Sequence, residues 1–160
     1  MNQITLREIT GGWHDSSLIV KWRNDPDTAR CFPPQEPWTT LGQQHWYRNV
    51  YRHDPSLNLY FVCLGYRPIG TVGMSIENGI GEMMWMMLGD KTLARKGYMN
   101  QGMRMLMEAY GLDHYWGRVM PDNKAGLRFQ IKNGFTVTEE INGMLLIERD
   151  FDGSWPEDNK

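Results

Sequence analysis

The chain has 160 residues and a formal net charge of -2, with 41% hydrophobic and 22% charged residues, the proportions of one globular domain with a real core. No apolar run approaches the ~20 residues of a membrane span, and the start "MNQITLREIT" has neither region of a signal peptide, so cytoplasmic residence without a membrane partner is expected. Cys31 and Cys63 form no metal-type spacing and no disulfide framework, and a nucleic-acid binder would be basic overall.

In chain order, Ile4 to Ile9 reads as an opening strand. "DSSLIVKWRNDP" follows as a helix capped by Asp15 or Ser16, with Leu18, Ile19 and Trp22 on one face and Pro26 at its end. The proline-rich connector "CFPPQEPW" leads to a second helix, capped by Thr39 or Thr40, which carries His45, Trp46, Tyr47, Val50 and Tyr51 and fades at "RHDPS". Three strand signals come next. "LNLYFVCLG" is a continuous apolar run, and "PIGTVGMSIENG" alternates, with Val72, Met74 and Ile76 on one face. "EMMWMMLG" is apolar on both faces, as suits a central strand covered on both sides.

The loop "DKTLARKG" opens into the helix "YMNQGMRMLMEAYG". Met99, Met103, Leu106 and Tyr110, at spacings of 4, 3 and 4, make one stripe opposite Gln101, Arg104 and Glu108, and Gly111 is a stop. "WGRVMPD" reads as a short strand and "NKAGLRFQIKNGF" as a helix that halts at Asn133–Gly134. "FTVTEE" and "GMLLIERDF" close a hairpin over Asn142-Gly143. The order β-α-α-β-β-β-α-β-α-β-β is a mixed α/β domain over residues 1–150, followed by a loose tail over 151–160.

Charge is unevenly spread. Lys91, Arg95, Lys96 and Arg104 crowd residues 90–104 against one acid, and Arg118, Lys124, Arg128 and Lys132 crowd 118–132 against Asp122. Two basic clusters at the mouths of adjacent elements suit a small polyanion better than a duplex. Between the strand "EMMWMMLG" and the helix at Tyr98, Gly97 lets the backbone approach a phosphate. The first helical N–H groups there are unsatisfied, and Arg95 and Lys96 add charge.

On these residues the chain resembles the GNAT superfamily of acyl-CoA-dependent N-acetyltransferases, over roughly Ile4 to Glu148. That family's pyrophosphate loop has the form Arg/Gln-x-x-Gly-x-Gly/Ala; here it is "ARKGYM", which keeps Gly97 and departs at Ala94 and Met99. Met99 adds bulk where the helix should approach the pyrophosphate. The second motif maps to Asn123, Gly126, Gln130, Gly134 and Phe135. Gln130 stands where many members carry a tyrosine that protonates the departing thiolate, which an amide cannot do. "PIGTVG" looks like the family's third strand. Branches that acetylate nucleotide-linked amino sugars or ribosomal-protein N-termini share an early "WRND" and a later His/Trp pair, here Trp22-Arg23-Asn24-Asp25 and His45-Trp46-Tyr47.

The resemblance implies a central mixed, mostly antiparallel sheet of about seven strands flanked by about four helices. It implies acetyl-CoA as co-substrate, a small-molecule amine as acceptor, no metal, and a monomer or homodimer. Arg95, Lys96, Gly97, Tyr98, Met99, Asn100 and Asn123 would hold the cofactor, with Met87 and Leu88 giving backbone N–H groups to the thioester carbonyl. Glu82 would act as a base through water, or is a solvated turn carboxylate beside Gly81. Tyr98 or water would protonate the thiolate, with Gln130 hydrogen-bonding the sulfur. Trp22, Arg23, His45 and Trp46 would face the acceptor, with structural roles as the other use of the tryptophans and the histidine. The expected activity is N-acetylation of a small or nucleotide-linked amine. The alternatives are acetylation of a protein N-terminus or lysine, and a non-catalytic CoA- or ligand-binding protein of GNAT type.

Overall fold

Seven strands hydrogen-bond into one sheet, in the order β1-β2-β3-β4-β5-β7-β6, in the computed structural model, which describes residues 3–156. They are β1 (Ile4–Glu8), β2 (Leu57–Leu64), β3 (Arg67–Glu77), β4 (Ile80–Leu88), β5 (His114–Val119), β6 (Thr136–Ile141) and β7 (Met144–Asp150). Five helices flank it: α1 (Trp13–Asn24), α2 (Pro26–Ala29), α3 (Thr40–Asn49), α4 (Tyr98–Tyr110) and α5 (Lys124–Lys132). All strand pairs are antiparallel except β4 with β5. This is the mixed, mostly antiparallel sheet expected, with one helix more than the count given above.

The extra helix is a proline effect. Pro26 ends α1, but it also stands at the first position of α2, where a missing N–H costs nothing, and Asp25 caps that turn through the Asp27 N–H at 2.9 Å. The start of α1 also differs from expectation: the N-cap is Gly12, with no side-chain cap bond, and Asp15 lies in the first turn. Asp15 is 5% exposed and accepts from both Arg7 Nη groups at 3.0 Å and from Thr10 N and Oγ1 at 3.1 and 2.7 Å. Burial alone would push its carboxyl up; the Arg7 and Thr10 bonds outweigh that and hold it below the ordinary value. Asp15 therefore latches α1 to the β1 edge.

The opposite face carries α4. Met103, Leu106 and Met107 are buried and Gly102 lies against Val62, so the helix turns a slightly different stripe to the sheet than the expected one. Tyr110 is only half-buried and its hydroxyl meets Tyr60 and Asn58 instead. Each fully buried Met or Leu here contributes about 1.5–3 kcal/mol relative to exposure. At the end of α5, Asn133 is 0% exposed and fully used: it accepts from Arg104 Nε at 2.9 Å, donates to the Phe129 carbonyl at 2.9 Å, and gives its own carbonyl to Arg149 at 2.8 Å. Gly134 then takes the positive φ of 90° that turns the chain, and Phe135 enters the core. The hairpin over Asn142-Gly143 forms with both residues at positive φ, as its dipeptide requires.

The start of the tail expected to be loose is packed as far as Trp155. Phe151 is buried edge-on against Tyr115, and Trp155 sits between the guanidinium groups of Arg104 and Arg149 at 4.7 and 4.6 Å. Residues 157–160 lie outside the described residues.

Candidate active site

Parallel pairing of β4 with β5 runs from Ile80↔His114 to Met83↔Gly117 and stops, although β4 continues to Leu88. Among the described residues, the edge of β4 facing β5 has no strand partner from Met84 to Leu88, which leaves backbone groups there to meet a ligand. A bulge marks the parting. Val72 of β3 stands opposite two β4 residues, Trp85 and Met86, and the register shifts there. Trp85 takes φ of 60°, a conformation that an aromatic residue adopts only when held. The hold is visible: Thr71 Oγ1 donates to the Trp85 carbonyl at 2.6 Å, and Trp46 stacks on the Trp85 indole at 5.1 Å. A cavity of about 1040 Å³ opens between the parted strands.

One wall of this cavity is the start of α4 and α5. The N-terminus of α4 has no side-chain cap, Gly97 before it takes φ of 79°, and nothing stands within 4 Å of where a Cβ would lie. Arg95 also has positive φ and lines the cavity, whereas Lys96 is exposed and lies outside the lining. Tyr98, Met99 and Asn100 follow on the first turn and all line the cavity. Met99 does not crowd it as expected. Its sulfur is directed at the sheet and would stand 2.7 Å from a Cβ placed on Gly70, so Gly70 makes room for Met99 and the loop above stays open.

On α5, Asn123 is the N-cap, its Oδ1 accepting from the Gly126 N–H at 3.0 Å. A Cβ on Gly126 would collide with that capping side chain, which explains the glycine. Gln130 is 8% exposed, and among the described residues neither its Oε1 nor the buried Asn100 Oδ1 has a hydrogen-bond partner. Two orphaned acceptors beside one cavity are costly unless a bound molecule supplies donors.

The other wall comes from α1, α2 and the connector. Arg23 lines it; Trp22, next in the chain, does not. Trp22 is 7% exposed, its ring fills the space a Cβ on Gly89 would need, and it meets Phe61 edge-on at 6.0 Å. The expected acceptor contact from Trp22 is thus corrected to core packing, because a ring so enclosed has no face left for a ligand. His45 is exposed on α3 and lies outside the cavity lining. Trp46 also lies outside the lining and reaches the site only through Trp85, which does line it. Lys91, from the first basic cluster, lines the cavity, and Phe32, Trp38 and Trp85 line it without having been foreseen. The only sequence signals for them were a tryptophan closing "CFPPQEPW" and one interrupting a methionine run.

Glu82 lies on the last paired stretch of β4, where its side chain is 17% exposed. Arg118 donates to it from Nη2 at 2.7 Å and Nε at 3.1 Å, both to Oε2. Oε1 takes no part in that pair.

The profile of the acetyltransferase (GNAT) domain family matches residues 3–136. The chain belongs to the GNAT acetyltransferase family. Solved structures share its fold at low identity. A domain from Methanocaldococcus jannaschii has a TM-score of 0.79 at 18% identity, over 94% of this chain and 100% of that one. The aminoglycoside acetyltransferase AAC(6')-Ib, solved with ribostamycin and coenzyme A, has a TM-score of 0.80 at 18% identity, over 95% and 96%. FdhC, described as a nucleotide-linked sugar GNAT and solved in its apo form, has a TM-score of 0.76 at 19% identity, over 93% and 87%. No curated protein sequence gave a match.

Acetyl-CoA is the co-substrate that goes with this membership, and the wall of α4 and α5 fits it. An uncapped helix N-terminus with an open glycine suits a pyrophosphate, the unpaired β4 edge suits an amide-bearing arm, and the orphaned Asn100 and Gln130 oxygens suit its N–H groups. Among the described residues no helix is long and apolar enough to cross a membrane.

Proposed function

We propose that this GNAT acetyltransferase transfers an acetyl group from acetyl-CoA to a primary amine of a small or nucleotide-linked substrate, by direct attack in a ternary complex. The observation that carries the reading is the parting of β4 from β5 after Met83↔Gly117. It leaves one cavity with an anion-binding helix start on one wall and an aromatic, basic wall opposite. Two structural neighbours are described with small or nucleotide-linked ligands, which supports a small-molecule acceptor.

In the reaction the amine nitrogen bonds to the thioester carbonyl carbon, the C–S bond breaks, and the thiolate takes a proton. Glu82 Oε1 accepts the ammonium proton through water so that the amine attacks neutral. Backbone N–H groups of the unpaired β4 edge, near Met87 and Leu88, bind the developing negative charge on oxygen. Gln130 cannot act as an acid, so Tyr98 or water returns the proton; a thiol of pKa ~8.5 is an undemanding leaving group.

Calorimetric titration of acetyl-CoA, with desulfo-CoA as control, tests the cofactor wall. Micromolar binding is expected, and no binding up to millimolar concentration would sink the reading. Glu82→Gln should then lower turnover by about 10²–10⁴-fold while leaving acetyl-CoA affinity unchanged. A variant with full turnover would remove Glu82 from the mechanism.

A further inference from the structure

Arg23 ends α1 at 7% exposure, with its guanidinium 4.1 Å from the Phe32 ring and 5.2 Å from the Trp38 ring. With the Gln35 amide turned so that its oxygen faces inward, that oxygen accepts from Arg23 Nη2 at 2.7 Å and from Trp38 Nε1 at 2.5 Å. Among the described residues no carboxylate pairs with Arg23, and burial pushes its pKa down with nothing opposing. The two acids on the cavity wall are engaged elsewhere: Glu82 with Arg118, and Asp27 with Arg30 at 3.2 Å. Lys91 adds a second positive group to the same edge, its Nζ held by Thr28 Oγ1 of α2 at 2.9 Å.

A buried charge without a counter-charge is unfavourable unless something arrives to pair with it. Here two rings flank the guanidinium and a neutral amide takes one of its five donors, which leaves the rest of the fork for a planar or tetrahedral anion. We infer that Arg23 is the receptor for an anionic group, a phosphate or a carboxylate, carried by the acceptor amine. The inference rests on the acetyltransferase reading above and narrows its acceptor: a polycationic amine meets like charge at this wall, whereas an amine bearing an anion is drawn in and oriented.

Matched acceptor pairs test it. Glucosamine 1-phosphate is compared with glucosamine, and alanine with alaninamide. Each is titrated into protein saturated with acetyl-CoA, following tryptophan fluorescence from Trp38 and Trp85 and the release of free thiol. In at least one pair the anionic member should be preferred by about tenfold or more, the strength of a charge-assisted contact, and the pair that shows it identifies phosphate or carboxylate as the source. In Arg23→Gln the preference should collapse towards unity; Arg23→Lys, which keeps the charge but not the fork, should retain part of it.

Equal or reversed preference in both pairs overturns the inference, as does a preference that survives Arg23→Gln, or failure of both anionic members to bind protein whose acetyl-CoA binding is intact. Should Arg23→Gln not fold, the wild-type preferences and the drop in Arg23→Lys decide. Titrating the same anions without acetyl-CoA separates this inference from the larger one. Absence of acetyl-CoA binding would end the transferase reading, while Arg23-dependent binding of glucosamine 1-phosphate to the free protein would leave the anion site standing.

Discussion

The two walls of the cavity do their work with different parts of the chain. The wall of α4 and α5 offers mostly backbone: an uncapped helix start, a glycine at positive φ, and the unpaired edge of β4 across from it. The wall of α1, α2 and the connector offers side chains: a buried guanidinium clamped by Phe32 and Trp38, beside the strained Trp85. Backbone recognition tolerates wide sequence change, and that is why Ala94 and Met99 can replace the usual loop residues without closing the site. Side-chain recognition changes with each substitution, so on the reading proposed above this wall is the one that would select the acceptor.

The largest way to break the comparison is Trp22→Ala, which should cost about 3–5 kcal/mol in urea denaturation yet spare the acetyl-CoA affinity of the folded protein. A small loss of stability with a large loss of acceptor binding would instead return Trp22 to the site. Next comes Asp15→Asn, which unlatches α1 and with it the side-chain wall, at about 1–3 kcal/mol. The sign follows from the shift: a carboxyl held below its ordinary 3.8 when folded stabilises above that value, and the contribution is lost as pH falls through the folded-state pKa. Urea midpoints of the two proteins should therefore differ fully near about pH 6 and converge in acid.

On the backbone wall, Gly97→Ala forces a Cβ into positive φ at about 1–2 kcal/mol, and calorimetry should show acetyl-CoA binding weakened by about tenfold. The smallest effect sharpens the contrast most. Gln130→Leu removes an unpartnered buried oxygen, so thermal stability should rise by about 1 kcal/mol while acetyl-CoA binding falls. A rise in both would mean that the amide serves neither.

Much of the backbone wall was legible in the sequence, because each of its signals is local. Gly97 before a helix and an asparagine opening the α5 segment are demands that a residue meets within four positions of itself. The side-chain wall was half legible. "WRND" pointed to Arg23, but nothing in the periodicity of α1 distinguished a ring that fills the space beside Gly89 from a guanidinium that lines a cavity one residue later. His45 and Trp46 share the difficulty, since a helix carrying several aromatic residues does not declare which face meets the sheet.

By itself the sequence determined the order of the strands and of the four longer helices, the Asn142-Gly143 turn, a threonine cap at Thr39 or Thr40 and the glycine that opens the loop, all set by short-range backbone chemistry. Tertiary structure alone decided where β4 leaves β5, which way Met99 turns, why the tail from Phe151 to Trp155 is held, and that Arg23 is buried without a carboxylate partner among the described residues. Those features arise where residues far apart in the chain compete for one volume, and the winner is settled by packing, which no local pattern records.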